Sequence, residues 1–182
     1  MKKTLIMMCG IPASGKSTVA QKLKNRLPNT KYFSLDEMRK WLLGTRKNQS
    51  KNRLIFKITM DMTIYYFYVI GDIVIYDATN IIPRQRKNVV KYLAYKGFSP
   101  NIYCIYLDTT PEIAKDRNRA RDEEERVPDS VIDSMAQRFT PPTATEEFNG
   151  QYIFQDIYKI YPETLDNSVD IVYDILTKQR ER

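Results

Sequence analysis

The sequence contains no histidine, and this absence excludes more than any other feature of its composition. A Ser-His-Asp triad, a histidine-ligated zinc ion and a histidine general base all require an imidazole. Any acid–base chemistry must therefore fall to carboxylates, lysine, tyrosine or water.

Cysteine and long apolar runs are also scarce. Cys9 and Cys104 are the two cysteines, and each lies in an apolar stretch, where cysteine is usually a small buried hydrophobe. The largely apolar segment 54–76 is interrupted by charged residues, and its longest uncharged part, 62–71, is too short to cross a bilayer. No secretory signal or CxxC pair is visible. These features predict a reducing, cytoplasmic protein without a membrane segment.

What is present fits a globular protein. The 182 residues are 42% hydrophobic and 28% charged, which predicts a single domain over 1–182. Lysine and arginine number 29 against 22 aspartates and glutamates, giving a net charge of +7. This balance suits a polyanionic partner such as nucleic acid but does not require one.

Apolar runs of strand length alternate with segments of helical spacing. Strands are predicted at 4–9, 32–34, 73–76, 102–107 and 157–161. Helices are predicted at 19–27, 36–43, 56–64, 83–95, 109–121, 129–139 and 169–176. The segment 56–64 also alternates like a strand, and we assign it as a helix because parallel strands need crossover connections. The pattern predicts a three-layer α/β domain with a central parallel sheet.

The segment 10–18 reads GIPASGKST and satisfies the phosphate-loop pattern GxxxxGK[ST], with an apolar strand before it and a helix after it. Glycines let the backbone curl so that its N–H groups point at phosphate oxygens. Lys16 is expected to reach the β and γ phosphates, and the Ser17 hydroxyl is expected to help hold Mg²⁺. The predicted ATP-binding residues of this loop are Gly10, Ala13, Ser14, Gly15, Lys16, Ser17 and Thr18.

Asp77 follows the apolar strand 73–76, at the sheet edge where open α/β folds bind ligands. An aspartate there is a candidate partner of Mg²⁺, together with Ser17. A turn or helix-capping role before Asn80 is the alternative. The chain has no DxxG or NKxD motif, so ATP is favoured over GTP as the nucleotide.

Asp36 and Arg39 lie one helical turn apart after the second strand. Asp36 could accept the proton of an attacking hydroxyl while Arg39 holds an acceptor phosphate. Alternatively, Asp36 only stabilises a helix N-terminus and Arg39 is a surface charge.

An arginine cluster follows the fourth predicted strand. Arg117 and Arg121 are spaced to share a helical face and could close over a triphosphate as part of a lid at about 117–128. A solvated helix balanced by the acidic run 122–125 is the simpler alternative.

Taken in order, these motifs resemble the kinase domain of the bacteriophage T4-type polynucleotide 5′-hydroxyl kinases and their P-loop relatives. The resemblance spans 2–148 and rests on GIPASGKST, SLDEMR, VIYDATNIIPRQR, RNRARDEEERVP and FTPPTATEEF. It implies that Asp36 is the general base toward a 5′-hydroxyl and that Arg39 contacts an acceptor phosphate. It also implies that Arg117 and Arg121 contact ATP phosphates and stabilise the transition state, with Lys16, Asp36 and Arg121 as the catalytic residues. The phosphatase signature DxDxT of bifunctional members is missing.

The DATN motif, which includes Asp77, Thr79 and Asn80, is also similar to that of kinases acting on tRNA-bound serine or on sugar phosphates. The leading prediction is an ATP- and Mg²⁺-dependent kinase of 5′-hydroxyl ends of DNA or RNA. The alternatives are a kinase of a small-molecule, nucleoside or tRNA-linked acceptor, and a non-catalytic nucleotide-binding module. Acceptor contacts are expected from Asp36, Arg39, Asp77, Thr79, Asn80 and Arg84, and acceptor phosphates also from Arg86 and Lys87. The oligomeric state stays open.

Overall fold

The computed structural model describes residues 3–164, 169–170, 172–174 and 177. The strands are β1 (Thr4–Cys9), β2 (Thr30–Ser34), β3 (Ile73–Asp77), β4 (Asn101–Leu107), β5 (Glu147–Phe148), β6 (Gln151–Tyr152) and β7 (Asp156–Ile160). The helices are α1 (Lys16–Arg26), α2 (Leu35–Leu43), α3 (Asn52–Val69), α4 (Pro83–Tyr95), α5 (Pro111–Arg119) and α6 (Asp129–Gln137).

Five of the strands form one parallel sheet in the order β2-β3-β1-β4-β7. The predicted α/β fold with a central parallel sheet is confirmed. The central strands β1 and β3 are buried along their whole length, as expected for strands covered by helices on both faces. Alternate side chains of β1 therefore serve two cores: Leu5 and Met7 face one, Ile6 and Met8 the other.

Helices α3 and α4 cover the first face of the sheet, and α1 covers the second. Cys9 and Cys104 are buried in the first core and carry free thiols, as predicted. The uncertain segment 56–64 is helical, and the helix is longer than predicted. Its buried residues recur at helical spacing, at 55, 59, 60, 63, 64 and 67.

The element ends differ from the predictions at several points. Helix α5 ends at Arg119, so Arg121 lies beyond it and does not share a helical face with Arg117. Helix α6 begins at Asp129, as predicted, and ends at Gln137, two residues before the predicted end. The antiparallel pair β5–β6 was not predicted. The acidic run forms a short 3₁₀ helix at Glu123–Glu125.

The helix predicted at 169–176 lies partly outside the described residues, and those that are described there are helical. Within the described part of the chain, no helix combines the length and apolarity needed to cross a membrane.

Candidate nucleotide and acceptor site

The sheet order brings the predicted motifs to one edge. The phosphate loop follows β1, Asp77 ends β3, and α2 with Asp36 begins directly after β2. Because β1, β3 and β2 are parallel neighbours, their carboxyl ends lie side by side. The position of the site at this edge therefore follows directly from the strand order.

The phosphate loop needs glycine where it leaves the sheet. Gly10 has φ of 147°, and a Cβ added there would lie 3.0 Å from the carbonyl oxygen of Leu107. Gly15 has φ of 103° immediately before α1. Both positions lie in the region that favours glycine. Glycine at these two positions permits the tight path by which phosphate loops direct their N–H groups inward.

Lys16 is buried at the base of this loop. Its Nζ donates to the carbonyl oxygen of Ile11 at 2.6 Å and lies 3.4 Å from Ser14 Oγ. Burial lowers the pKa of Lys16, and the Asp77 carboxylate partly offsets that shift. Asp36 also favours its charged form, so the carboxylates of β3 and α2 both act on the ammonium group.

Ser17 and Asp77 contact each other at the carboxyl edge of the sheet, and their role in holding a metal stays a prediction. Ser17 Oγ donates to Asp77 Oδ2 at 2.6 Å. The Tyr32 hydroxyl donates to the same oxygen at 2.6 Å. Burial, followed by the Asp77 charge, raises the pKa of Tyr32, so the phenol stays protonated and remains a donor. Tyr32 was missed by the sequence analysis, and its only signal was its place on the strand predicted before Asp36.

The oxygen set at this point fits magnesium. Mg²⁺ prefers oxygen ligands and is usually held by one or two carboxylates with substrate phosphates and water. Ser17 Oγ and Asp77 Oδ2 supply such oxygens. Among the described residues there is no group of three or more His, Cys, Asp or Glu side chains that could hold a metal ion.

Asp36 and Arg39 form an ion pair at the start of α2. The side chain of Asp36 is 70% exposed, whereas that of Arg39 is 5% exposed. Asn52 Oδ1 accepts from Arg39 Nε at 3.2 Å and from Nη2 at 2.9 Å. The helix begins at a cap in which Ser34 Oγ accepts from the Glu37 backbone N–H. The buried Arg39, held by Asn52, thus positions the exposed Asp36 carboxylate. The sequence analysis did not identify Asn52.

Of the arginines in 117–128, Arg117 contacts the phosphate loop directly. Arg117 Nη1 donates to the Ser14 carbonyl oxygen at 3.0 Å, as does Thr109 Oγ1. The charge of Arg121, which lies past the end of α5, contributes to lowering the pKa of Lys16. Arg126 Nε donates to the Arg121 carbonyl oxygen at 2.8 Å.

Arg46 joins this arginine-bearing segment to the Asp36 helix. It forms ion pairs with Glu37 of α2 and with Glu125 of the 3₁₀ helix. Sequence reasoning missed it because one of its partners is remote in sequence: Glu125 lies 79 positions further along the chain.

The predicted acceptor residues after β3 have different fates. Arg84 is exposed and Thr79 is partly buried, with its carbonyl oxygen accepting from the Gly10 N–H. Asn80 is buried and its amide donates to the Met8 carbonyl oxygen, so its side chain holds the loop in place. The expected contact of Arg86 with acceptor phosphates is wrong, because Arg86 is fully buried. Lys87 is exposed.

Arg86 pairs instead with buried Glu146, which lies in the segment 139–148 whose role was open. Arg86 Nη1 also donates to the Asn80 carbonyl oxygen at 2.7 Å. The Thr143 N–H donates to Glu146 Oε1. The segment 139–148 is therefore fastened beneath the loop that follows β3.

The parallel sheet, the phosphate loop and the serine–aspartate pair define a P-loop nucleotide-binding domain of the kinase and NTPase class. A family model described as an AAA domain matches residues 5–142. The chain belongs to this family.

A relative in Xenopus laevis, Protein KTI12 homolog, is 27% identical over 153 residues, covering 80% of this chain and 53% of that protein. The chain thus spans about half the length of this curated relative. Kti12 of Chaetomium thermophilum, solved in complex with ADP-AlF3, has a TM-score of 0.70 at 19% identity, with 96% and 97% of the two chains covered. A fungal RNA kinase has a TM-score of 0.74 at 18% identity, covering 98% of this chain and 44% of that one. At these identities the solved structures show the fold alone.

Proposed function

We propose that this protein is an ATP- and Mg²⁺-dependent kinase that transfers the γ-phosphoryl group to a 5′-hydroxyl end of a nucleic acid. One observation carries the proposal. An exposed carboxylate, Asp36, is held by the buried Arg39 beside a complete phosphate loop, and its charge acts on Lys16. A nucleotide-binding loop alone does not require such a group.

The phosphate loop supplies donor binding. Its backbone N–H groups and the start of α1 attract phosphate oxygens, and Lys16 contributes a buried positive charge. Ser17 and Asp77 would hold Mg²⁺, which neutralises charge on the phosphates when bound. Tyr32 fixes the orientation of the Asp77 carboxylate by its hydrogen bond.

Asp36 is the proposed general base. The acceptor hydroxyl oxygen attacks the γ-phosphorus, and its proton passes to the Asp36 carboxylate. The bond between the γ-phosphorus and the bridging oxygen breaks, and ADP leaves with the electron pair. Arg39 positions Asp36, and its contact with an acceptor phosphate stays a prediction.

Arg117 and Arg121 are proposed to stabilise the charge that spreads over the transferring group. Arg117 already reaches the Ser14 carbonyl at the mouth of the phosphate loop. Because phosphoryl transfer depends mostly on positioning and charge neutralisation, fixed cations near Lys16 suit this role. The acidic run beside them is anchored through Arg46.

A nucleic-acid acceptor is supported by the motif order of 2–148, which is similar to that of T4-type kinases, and by the net charge of +7. The structural similarity to a fungal RNA kinase agrees with it. The DATN residues also resemble the motif of kinases that act on tRNA-bound serine or on sugar phosphates, so a tRNA-linked or small-molecule acceptor is the alternative.

A nucleotide-binding module without an acceptor of its own is the second candidate. The similarity to the KTI12 homolog over 80% of this chain favours it, as does the solved Kti12 complex with ADP-AlF3. In that case Asp36 and Arg39 would serve ATP hydrolysis or partner contacts rather than an acceptor hydroxyl.

An acceptor panel distinguishes the candidates. γ-labelled ATP is incubated with the protein and, in parallel, with 5′-hydroxyl oligonucleotides of DNA and RNA, plain nucleosides and tRNA. Label on the oligonucleotide ends supports the proposal. Label only on nucleosides or inside tRNA supports the other kinase candidates, and ATP binding without acceptor labelling supports the nucleotide-binding module.

A further inference from the structure

We propose that the outward face of α2 binds the 5′ end of a single-stranded nucleic acid, with Lys40 contacting the first phosphate and Trp41 stacking on a base. The inference rests on the proposed function, because it names the residues that would hold that acceptor beside Asp36. Asp36, Lys40 and Trp41 together are called the acceptor face. All three are exposed, whereas Met38 and Arg39 of the same helix are buried.

Arg39, the expected partner of an acceptor phosphate, is already engaged inside the protein. Its side chain is 5% exposed. All three nitrogens of its guanidinium group donate to protein oxygens, which belong to Asp36, Asn52 and the Arg46 carbonyl group. A guanidinium group in this state offers a phosphate little free surface. The arrangement therefore favours a different cation for the acceptor phosphate.

Lys40 is the cation that follows Asp36 along the exposed side of α2. The two residues are four positions apart, so they are neighbours in one row, with roughly 5–6 Å between their Cβ atoms. In a nucleic acid strand, one sugar separates the 5′-hydroxyl from the phosphate that follows it. The hydroxyl at Asp36 and the phosphate at Lys40 would thus belong to the same terminal nucleotide. The surrounding segment 38–60 contains seven basic residues and no acidic one, a balance that attracts polyanions.

The glutamates near Lys40 do not form an ion pair with it. Glu37 of α2 and Glu125 of the 3₁₀ helix both pair with Arg46. Glu124 lines the same small recess as Lys40. Among the residues that the structure describes, Lys40 has no ion-pair partner. Its ammonium group is therefore available to a phosphate, which lysine binds as a point charge.

Trp41 supplies a ring next to this cation. It is the only tryptophan in the sequence and is 70% exposed, whereas tryptophan is on average a well-buried residue and is enriched where proteins contact partners. Unpaired bases stack on exposed aromatic rings. A carboxylate, a cation and a ring on one helix face thus correspond to the hydroxyl, the phosphate and a base of a strand end.

Binding can be measured without catalysis through Trp41 itself. Its emission is the only tryptophan signal of the protein, and a base stacked on the ring should quench it. A short 5′-hydroxyl DNA oligonucleotide is titrated in the absence of ATP. A second oligonucleotide has the same phosphates but abasic sugars at its first two positions. It should bind more weakly and leave the emission nearly unchanged.

Lys40→Gln should weaken binding of the intact oligonucleotide roughly tenfold, in the range of a hydrogen bond to a charged group, while saturating oligonucleotide still quenches Trp41. Lys24→Gln, at an exposed lysine of α1, is the matched control. In phosphoryl transfer, Lys40→Gln should raise the KM for a nucleoside 3′-monophosphate and leave kcat and the KM for a plain nucleoside unchanged. A merely structural role would not produce this split.

Trp41→Ala should weaken binding of the intact oligonucleotide about fivefold or more, measured by fluorescence anisotropy of a labelled strand, and should not affect the abasic one. Trp41→Phe keeps a ring and should restore most of the affinity. Tyr65→Ala removes a ring of similar exposure, 65%, from α3 and is the matched control. Equal thermal unfolding of all variants excludes misfolding as the cause.

Three results would overturn the acceptor face: equal affinity for the intact and abasic oligonucleotides, equal losses in Lys40→Gln and Lys24→Gln, or a larger Trp41 response to phosphatidylserine vesicles than to the oligonucleotide. Failure of the proposed function appears elsewhere, as lack of labelling in the acceptor panel. A protein that binds strand ends through the acceptor face but labels no acceptor would keep this inference and reject the kinase. Labelling of 5′-hydroxyl ends that is unchanged in Lys40→Gln and Trp41→Ala would do the reverse.

Discussion

Two kinds of side chain share the site: those that would touch phosphates and those that hold others in place. Lys16 belongs to the first kind, because it lies buried within the phosphate loop. Its hydrogen-bond partners are two atoms of that loop, the Ile11 carbonyl oxygen and Ser14 Oγ. Lys16→Ala should therefore lower phosphoryl transfer by roughly 10²-fold or more, in the range seen when one preorganised charge partner is removed. Ser17→Ala should act likewise through the metal. Thermal unfolding should stay close to wild type, and near-normal turnover of the Lys16 variant would remove the loop from the mechanism.

Asp36 is the residue on which the kinase proposal depends. With no histidine in the chain, its exposed carboxylate is the best-placed base. Asp36→Asn keeps the size of the side chain and should lower kcat by roughly 10²-fold or more, the usual range for a general base, with little change in the KM for ATP. Glu37→Gln, one position further on α2, is the matched control. Loss of ATP affinity with preserved kcat would make Asp36 a metal or structural residue.

The site residues that sequence could predict are those in local motifs. Lys16, Ser17, Asp77 and Asp36 follow strands whose apolar runs are visible, so their positions follow from strand order. Tyr32, Asn52 and Arg46 could not be found in this way, because each acts on a partner distant in sequence. Arg86 was misassigned for the same reason. Its neighbours Arg84 and Lys87 suggested an exposed basic set, whereas its buried partner Glu146 lies 60 positions away.

At the scale of elements, the strands and helices could be predicted where buried apolar residues form a run or recur at a regular spacing in the sequence. The continuous apolar run of β3 and the helical spacing in α3 are examples. The end of α5 at Arg119 and the short β5–β6 pair were not predicted, because both depend on tertiary contacts rather than on the spacing of apolar residues. The acidic 3₁₀ helix at Glu123–Glu125 is fixed by Arg46 from another part of the chain.

The Arg86–Glu146 pair joins α4 to the segment 139–148 and supports the loop after β3. Arg86→Gln leaves a buried carboxylate without its cation, which costs roughly 3–5 kcal/mol of unfolding free energy. Lys87→Gln, the exposed neighbour, should change stability by less than about 0.5 kcal/mol. Denaturant unfolding measures both. Recovery of stability in Arg86→Met/Glu146→Leu would assign the loss to the unpaired charge; equal stability of Arg86→Gln and wild type would contradict the account.

Arg46 ties α2 to the 3₁₀ helix beside the lid arginines. Partly exposed ion pairs are worth up to about 1 kcal/mol, so Arg46→Gln should lower kcat/KM about fivefold by loosening Arg117 and Arg121 relative to the phosphate loop. Lys47→Gln, next to it and exposed, is the control. Steady-state kinetics at several ATP concentrations provide the measurement, and an equal effect in both variants would argue against a specific tie.

At the scale of the whole molecule, nucleotide binding should stabilise the fold. A ligand that binds only the native state at about 100 times its Kd adds roughly 2.7 kcal/mol to the unfolding free energy. ATP with Mg²⁺ should therefore raise the Tm of the wild type and of Asp36→Asn, but not that of Lys16→Ala. Differential scanning fluorimetry records this difference. A shift retained in Lys16→Ala would place the nucleotide elsewhere on the molecule.

The most direct test of the kinase proposal is a comparison of phosphoryl transfer by wild type, Asp36→Asn and Lys16→Ala from γ-labelled ATP. Two oligonucleotides serve as acceptors, identical except that one ends in a 5′-hydroxyl and the other in a 5′-phosphate. The wild type should label only the 5′-hydroxyl oligonucleotide, and both variants should be slower by roughly 10²-fold or more. Labelling by the wild type that does not exceed the Lys16→Ala background, while ATP with Mg²⁺ still raises its Tm, would contradict the kinase proposal.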